Sequence, residues 1–456
     1  MPVLPGVPAF AGMTGRPDER PPLAFAGVTC VGSPAKAPAM RVAIVGAGYS
    51  GTIAAVEIAR AAPSAGIVLI EKSGRFAQGA AYGTTSPGHL LNVRARNMSA
   101  LAGEPLHFAD WAAGEGHGPD DYVPRRDYRR YLASLLDGAT GVTRVTGEAV
   151  AIEDGGVTLA SGDLVPCGCA VVAGGNFPSR LPAAFGAGAI HDPWSAQGSA
   201  AVAAAAARGG ELLLVGTGLT MVDMAVSLEE AGFSGRILAA SRRGLVPRAH
   251  ISPAATPLPW EPPAGLAALV PSVRAREPWR ASVDGLRPHS IALWQGLGEA
   301  EQRRFLRHLR PWWDVHRHRI APRVAARIDA MRASGQLEVA AARVARVEGD
   351  LVTLARRAGG EIRRRFDAVI NCTGPEGDIA RIGDPLIRSL LASGRARPDP
   401  LGLGLDVDRD SRVRGSGPSP ALYALGPLTK GAFWEIVAVP DIRGQAAGVA
   451  RAIAAL

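Results

Sequence analysis

Arg41-Val-Ala-Ile-Val45, then Gly46-Ala-Gly48-Tyr-Ser-Gly51, then Thr52 to Arg60 is the stretch whose reading decides the fold. A short apolar run without alternation predicts a strand buried on both faces, and the residues after the glycines predict a helix. The three glycines have separate jobs in such a turn. Gly46 makes it tight, Gly48 lets the backbone approach a pyrophosphate, and Gly51 lets the helix pack closely on the strand, with the anion at the helix N-terminus. Tyr49 and Ser50 belong to this cofactor-binding turn. A second apolar run, Gly66 to Ile70, ends at Glu71, where a carboxylate can accept hydrogen bonds from ribose hydroxyls. The bland alternative is a glycine-rich turn in some other α/β unit.

The pattern recurs. Glu211 to Val215 reads as a strand, and Gly216-Thr-Gly218-Leu219-Thr220-Met221 opens a helix carrying Asp223. Met221 replaces the third glycine, which pushes the helix outward but keeps both phosphate-facing glycines. The next strand, Arg236 to Ala240, ends in Ser241-Arg242-Arg243-Gly244, so two guanidiniums stand where the first unit has an acid. A carboxylate repels a 2′-phosphate and arginine binds it. The first turn is therefore expected to take FAD and the second NADPH, the alternative for the arginine pair being a solvated basic turn.

Further apolar runs break at glycine where a chain crosses between two such units: Leu164 to Ala173 at Gly174, Phe366 to Cys372 before Gly374, and Leu422 to Leu425 at Gly426. Val439-Pro440-Asp441 then starts a terminal helix, with Pro at its beginning and an acid near its positive end. The expected fold is α/β with two Rossmann-like dinucleotide-binding domains, the NADPH domain inserted into a discontinuous FAD domain. The boundaries read as 40–205 for the first part of the FAD domain, 206–365 for the NADPH domain with a basic and aromatic segment at 286–322, and 366–456 for the second part.

Composition narrows the class. Only Lys36, Lys72 and Lys430 are lysines among 50 basic residues, so the net charge of +9 is carried by guanidinium, suited to phosphate and carboxylate. A genome-level preference for arginine gives the same bias. There is no zinc-finger or RNA-binding signature, so nucleic acid is not an expected partner. No apolar run reaches the roughly 18 residues of a membrane span. Four scattered cysteines, including Cys167 and Cys169, point to a reduced, cytoplasmic setting without a metal site. Residues 1–39 carry a near-repeat embedded in Pro and Gly, which predicts a disordered or mis-annotated extension ahead of Met40.

From Met40 onward the chain resembles the FAD/NAD(P)-binding monooxygenase group that includes FAD-dependent urate hydroxylases and aspartate N-monooxygenases. The segments that carry the resemblance are the two glycine turns, His89-Leu-Leu-Asn92-Val93, Ser241 to Gly244, Arg310-Pro-Trp-Trp313-Asp-Val-His316, Asn371 to Pro375, and Gly431-Ala-Phe-Trp434-Glu435 through Asp441. The resemblance implies that Asn92, Gly426 and Asp441 approach the flavin. It implies an NADPH-dependent enzyme whose reduced flavin reacts with O2, a C4a-hydroperoxide then hydroxylating a small polar substrate at an amine nitrogen or an electron-rich ring. The rival readings are an NAD(P)H-dependent flavin or quinone reductase and a non-catalytic flavoprotein sensor.

Two further features call for a role. Arg303 to Arg319 packs arginines, histidines and two indoles together, either as a cleft wall in which Arg310, Trp313 and His316 meet substrate or as a brace between domains. Trp434 and Glu435 precede Asp441, and Glu435 is the one carboxylate expected to face substrate as acid or base.

Overall fold

The computed structural model describes residues 40–186, 188–416 and 421–456, and the extension at 1–39 lies outside them. The described residues form one compact unit. It is built on two sheets with parallel cores.

The first sheet joins β1 (Arg41–Val45), β2 (Gly66–Glu71), β3 (Val142–Thr146), β7 (Cys169–Val172) and β14 (Ala421–Ala424) in the order β14-β7-β1-β2-β3, every pair parallel. Val42, Ala43 and Ile44 are fully buried, as a strand covered on both faces requires. Between β3 and β7 the chain forms a small antiparallel sheet of β4 (Ala149–Glu153), β5 (Gly156–Leu159) and β6 (Leu164–Pro166). Helix α1 (Tyr49–Ala61) follows β1, and α2 (Arg125–Asp137) buries Tyr128, Tyr131, Leu132 and Leu136, the face its tyrosines and leucines predict.

The second sheet has the order β12-β11-β10-β9-β8-β13. Here β8 (Glu211–Val215), β9 (Arg236–Ser241), β10 (Leu337–Glu348) and β13 (Ala368–Asn371) are parallel, and β11 (Leu351–Arg356) and β12 (Glu361–Arg365) extend it antiparallel. Helix α3 (Leu219–Glu230) follows β8. Met221 at its start is completely buried in the second core, where the third glycine of the first turn would leave room.

Both boundaries drawn from sequence need correction. Strand β13 pairs with β8, so residues 368–371 belong to the second sheet and not to the C-terminal segment drawn from 366. Ile190, Val202 and Ala205 lie in the second core, although the boundary at 205 put them with the first. An apolar strand ending in glycine looks the same whichever sheet it joins, and only its partners decide. Three more helices frame the junction: α4 (Trp279–Leu286), α5 (Arg310–Arg317) and α6 (Val439–Ala454), the last packed against α1.

Candidate dinucleotide sites and their junction

At the first turn Gly46 has φ +97°, and a Cβ there would lie 2.6 Å from the Ala173 carbonyl oxygen. A Cβ on Gly51 would run into the Gly46 carbonyl, so both positions need glycine for packing alone. Helix α1 has no side-chain cap, which leaves its first amides free to face an anion. A Cβ on Gly48 meets Gly79 Cα at 3.5 Å, an ordinary contact, and Gly79 itself has φ +62°. Glu71 closes the turn, one carboxylate oxygen accepting from the Ala47 amide at 3.0 Å and the other from Ser73.

Two expected cofactor residues are structural in their side chains. Tyr49 is buried against Tyr82 and Tyr128, and its hydroxyl donates to the Val439 carbonyl at 3.1 Å. Ser50 packs on Gly426, which has φ +69°; a Cβ on that glycine would lie 2.5 Å from Ser50 Oγ. The contact seats the C-terminal segment on the first turn, and the Gln445 side chain secures it by accepting from the Gly426 amide at 2.8 Å. Gly79 and Gln445 were not singled out from sequence; Gln445 is visible there only as the end of the terminal motif.

The second turn repeats the geometry with different chemistry. Gly216 has φ +121° and backs onto Cys372, while a Cβ on Gly218 would meet nothing within 4 Å. Leu219 and Thr220 begin α3, whose N-terminus likewise carries no side-chain cap. The strand registers show that Ser241, and not an arginine, occupies the position of Glu71, since Ala240 pairs with Val215 as Ile70 pairs with Val45. Ser241 Oγ and Thr217 Oγ1 share a hydrogen bond of 2.7 Å. Arg242 and Arg243 follow directly, and neither forms a salt bridge among the described residues.

The C-terminal segment and α5 meet at a buried charged junction. Glu435 is 2% exposed and accepts from Trp313 Nε1 at 2.7 Å, and Arg317 Nε lies 3.0 Å from its other oxygen. Burial pushes its carboxyl up, but Arg317, His318, the indole N–H and Lys430 together outweigh this and hold it below the usual range. It is thus a paired carboxylate locked between elements, which corrects its expected role as an acid or base facing substrate. Trp434 is stacked on Trp294 at 5.1 Å, with Arg310 on its ring at 5.7 Å, so it too is packed in. His316 turns away, its ring on Trp279 at 4.8 Å and its Nδ1 donating to the Trp312 carbonyl. Trp313 and Arg310 therefore reach the C-terminal segment and His316 does not join them.

Asp441 lies on the first turn of α6 with Arg287 3.6 Å away, and burial raises its carboxyl above the ordinary range against the pull of Arg287 and Arg317. Its Oδ2 is buried with no hydrogen-bond partner among the described residues. Asn92 sits where the two halves meet, its carbonyl accepting from His250 Nε2 at 2.9 Å.

Residues 43–177 match a family model described as FAD-NAD(P)-binding. Among solved structures the chain is similar to the reduced form of an ornithine hydroxylase from Pseudomonas aeruginosa, at 17% identity and TM-score 0.60, covering 91% of this chain and 99% of that one. It is similar over the same shares to an ornithine N-hydroxylase from Kutzneria sp. 744, at 15% identity and TM-score 0.61. An L-lysine 6-monooxygenase from Pseudomonas syringae gives 16% identity and TM-score 0.59, again covering 91% and 99%. At such identities the likeness establishes the fold, an α/β architecture with two Rossmann-like units.

Proposed function

We propose that this protein is an FAD-dependent, NADPH-using monooxygenase that hydroxylates a small polar substrate at an amine nitrogen or an electron-rich ring. The observation that carries the reading is the contrast between two otherwise parallel turns, one closed by Glu71 and the other by Ser241, with Arg242 and Arg243 beside it and in no salt bridge among the described residues. The residues present fit both groups. Free amides at the starts of α1 and α3, the glycines at 48 and 218, and a carboxylate or guanidinium at the second strand's end are what a dinucleotide needs.

In this reading Gly46, Gly48 and Gly51 and the α1 amides would hold the pyrophosphate of FAD, with Glu71 at its ribose. Gly216, Gly218 and the α3 amides would hold that of NADPH, with Arg242 and Arg243 on the 2′-phosphate. When bound, the two cofactors supply hydride transfer and the activation of O2. The chain's own part is positioning and exclusion of water. Gly426 and Gln445 fix the C-terminal segment on the first turn, Asp441 places a carboxyl 3.6 Å from Arg287 at the junction, and the Trp313, Glu435 and Arg317 contacts tie α5 down over it.

Replacing Arg242 and Arg243 by Ala should raise KM for NADPH roughly ten- to a hundredfold and leave that for NADH nearly unchanged, as loss of a charge-assisted fork predicts. Equal losses with both nucleotides would remove the arginines from the 2′-phosphate. Product analysis with candidate amines and purines, coupled to NADPH consumption, tests the reaction itself; NADPH oxidation that yields only peroxide or reduced quinone would replace it with the reductase reading.

A further inference from the structure

The segment that leads to Asn92 is fastened along α3, the helix of the second glycine turn. A Cβ on Gly88 would run into Val226 and Glu230 of α3 and into Arg327, so the backbone lies against the helix at that point. Ser86 Oγ donates to Glu230 at 2.5 Å. Nearer the glycines, His89 Nε2 is 2.9 Å from the Asp223 carbonyl and 3.0 Å from Ser227 Oγ. A carbonyl only accepts, so Nε2 carries the proton, and Nδ1 accepts from the Thr84 hydroxyl at 2.8 Å. His89 itself is buried, with Trp194 edge-on to its ring at 5.8 Å. Leu90 and Tyr122 pack on the second core, whereas their chain neighbours Leu91 and Val123 are buried in the first.

Arg125, the first residue of α2, completes the fastening. Its two terminal nitrogens donate to the two Asp223 oxygens at 2.9 and 3.1 Å, a bidentate pair, and its Nε donates to the Leu90 carbonyl at 3.1 Å. The Arg125 amide donates to the His89 carbonyl at 2.8 Å. The two paired side chains are 15% and 10% exposed. A buried ion pair adds little net stability over an apolar contact of the same size, because desolvation offsets the attraction. A planar fork with all three nitrogens engaged fixes geometry instead. Arg125 thus holds the start of α2, the loop before Asn92 and α3 in one register.

We propose that Arg125, seconded by His89, is a positioning residue: its pair with Asp223 sets α3 against the loop that carries Asn92, and so sets how far apart the two dinucleotides are held. The dinucleotides rest on the proposed function; the clamp does not. The chain crosses from the first sheet to the second after β7 and returns after β13. Backbone crossings alone leave a hinge, and a contact away from them is what blocks it. A misplacement of about 1 Å between reacting atoms costs about a hundredfold in rate, so a small rotation of α3 would be felt in hydride transfer.

The test uses the full chain loaded with FAD and compares the wild type with Asp223→Asn, which keeps the size of the side chain and removes its charge. Amide hydrogen exchange, followed by mass spectrometry, should rise about tenfold or more across 84–92 and at the start of α3 while β1 and β8 stay protected. In anaerobic stopped-flow mixing, flavin reduction at saturating NADPH should slow about ten- to a hundredfold, with FAD content and the Kd for NADPH unchanged. Arg125→Lys keeps the charge and gives up the fork, so it should fall between the two, and it carries the test if Asp223→Asn does not fold. A variant that loses Tm but is reduced at the wild-type rate overturns the proposal. So does one whose Kd for NADPH rises at an unchanged rate, or whose exchange across 84–92 is unaltered. If NADPH does not reduce the wild type, the oxidoreductase reading falls and the exchange measurement alone decides the clamp.

Discussion

Gly51 and Gly218 belong to equivalent turns but answer to different constraints. A methyl on Gly51 strikes the Gly46 carbonyl, whereas one on Gly218 meets no atom of the described residues within 4 Å. Gly51→Ala should lower Tm and strip FAD together. Gly218→Ala should keep its Tm and flavin and lose only affinity for NADP+, since the methyl intrudes solely on the phosphate; flavin absorbance, thermal melting and NADP+ titration decide it. Glu435 gives the opposite lesson about reading residues from sequence. Its place beside Trp434 and ahead of Asp441 was legible, but its partners Trp313 and Arg317 come from a distant helix. Glu435→Gln takes away the carboxylate 3.0 Å from the buried Arg317 Nε, a loss of about 3–5 kcal/mol. The expected result is a sharp drop in Tm with no new ionisation in the pH profile of the residual activity, and a shifted pH profile at unchanged Tm would restore the acid or base role.

Among the elements, the glycine turns were legible because their requirements are local: a buried strand, a turn that tolerates no side chain, and an uncapped helix lie within a dozen residues of one another. The sheet membership of β13 was not, since Ala368 to Asn371 reads as an apolar strand in either sheet and its pairing with β8 joins residues far apart in the chain. The same holds for α5, which sequence left open between cleft wall and brace. Its Trp313 indole donates to the buried Glu435, and Arg317 on the same helix completes the tie. Trp313→Phe keeps most of the ring and removes the N–H, leaving a buried carboxylate oxygen short of a donor at a cost of about 1–3 kcal/mol. Tm, flavin reduction rate and turnover should fall together while the share of NADPH ending as H2O2 stays constant. A raised peroxide share at unchanged Tm would put this helix at the reacting face.

At the scale of the whole molecule the two halves are held together by charges that left water, and this makes stability depend on pH from both sides. His250 lies between Arg94, Arg319, Asp284, Tyr122 and the Asn92 carbonyl, and burial with Arg319 lowers it to about 4 from 6.5. The unfolded chain therefore takes up a proton that the folded chain refuses, so stability is lost as pH falls from 6.5 toward 4. Lys430 faces Arg310, Asp314, Glu435 and the Trp434 ring, and burial, reinforced by Arg310, lowers it to about 8 from 10.5. Above 8 the folded amine is neutral while the unfolded one is still charged, so stability rises with pH from 8 to 10.5 as far as this group is concerned. His250→Gln, whose amide can still donate to the Asn92 carbonyl, should flatten the acid limb of a Tm-against-pH curve and leave the alkaline side alone. Lys430→Met should do the reverse, raising Tm at neutral pH and removing the gain above 8. Because the two groups sit on different contacts of one junction, the double variant should show both effects without interaction. If either single variant flattened both limbs, the junction would be one coupled network.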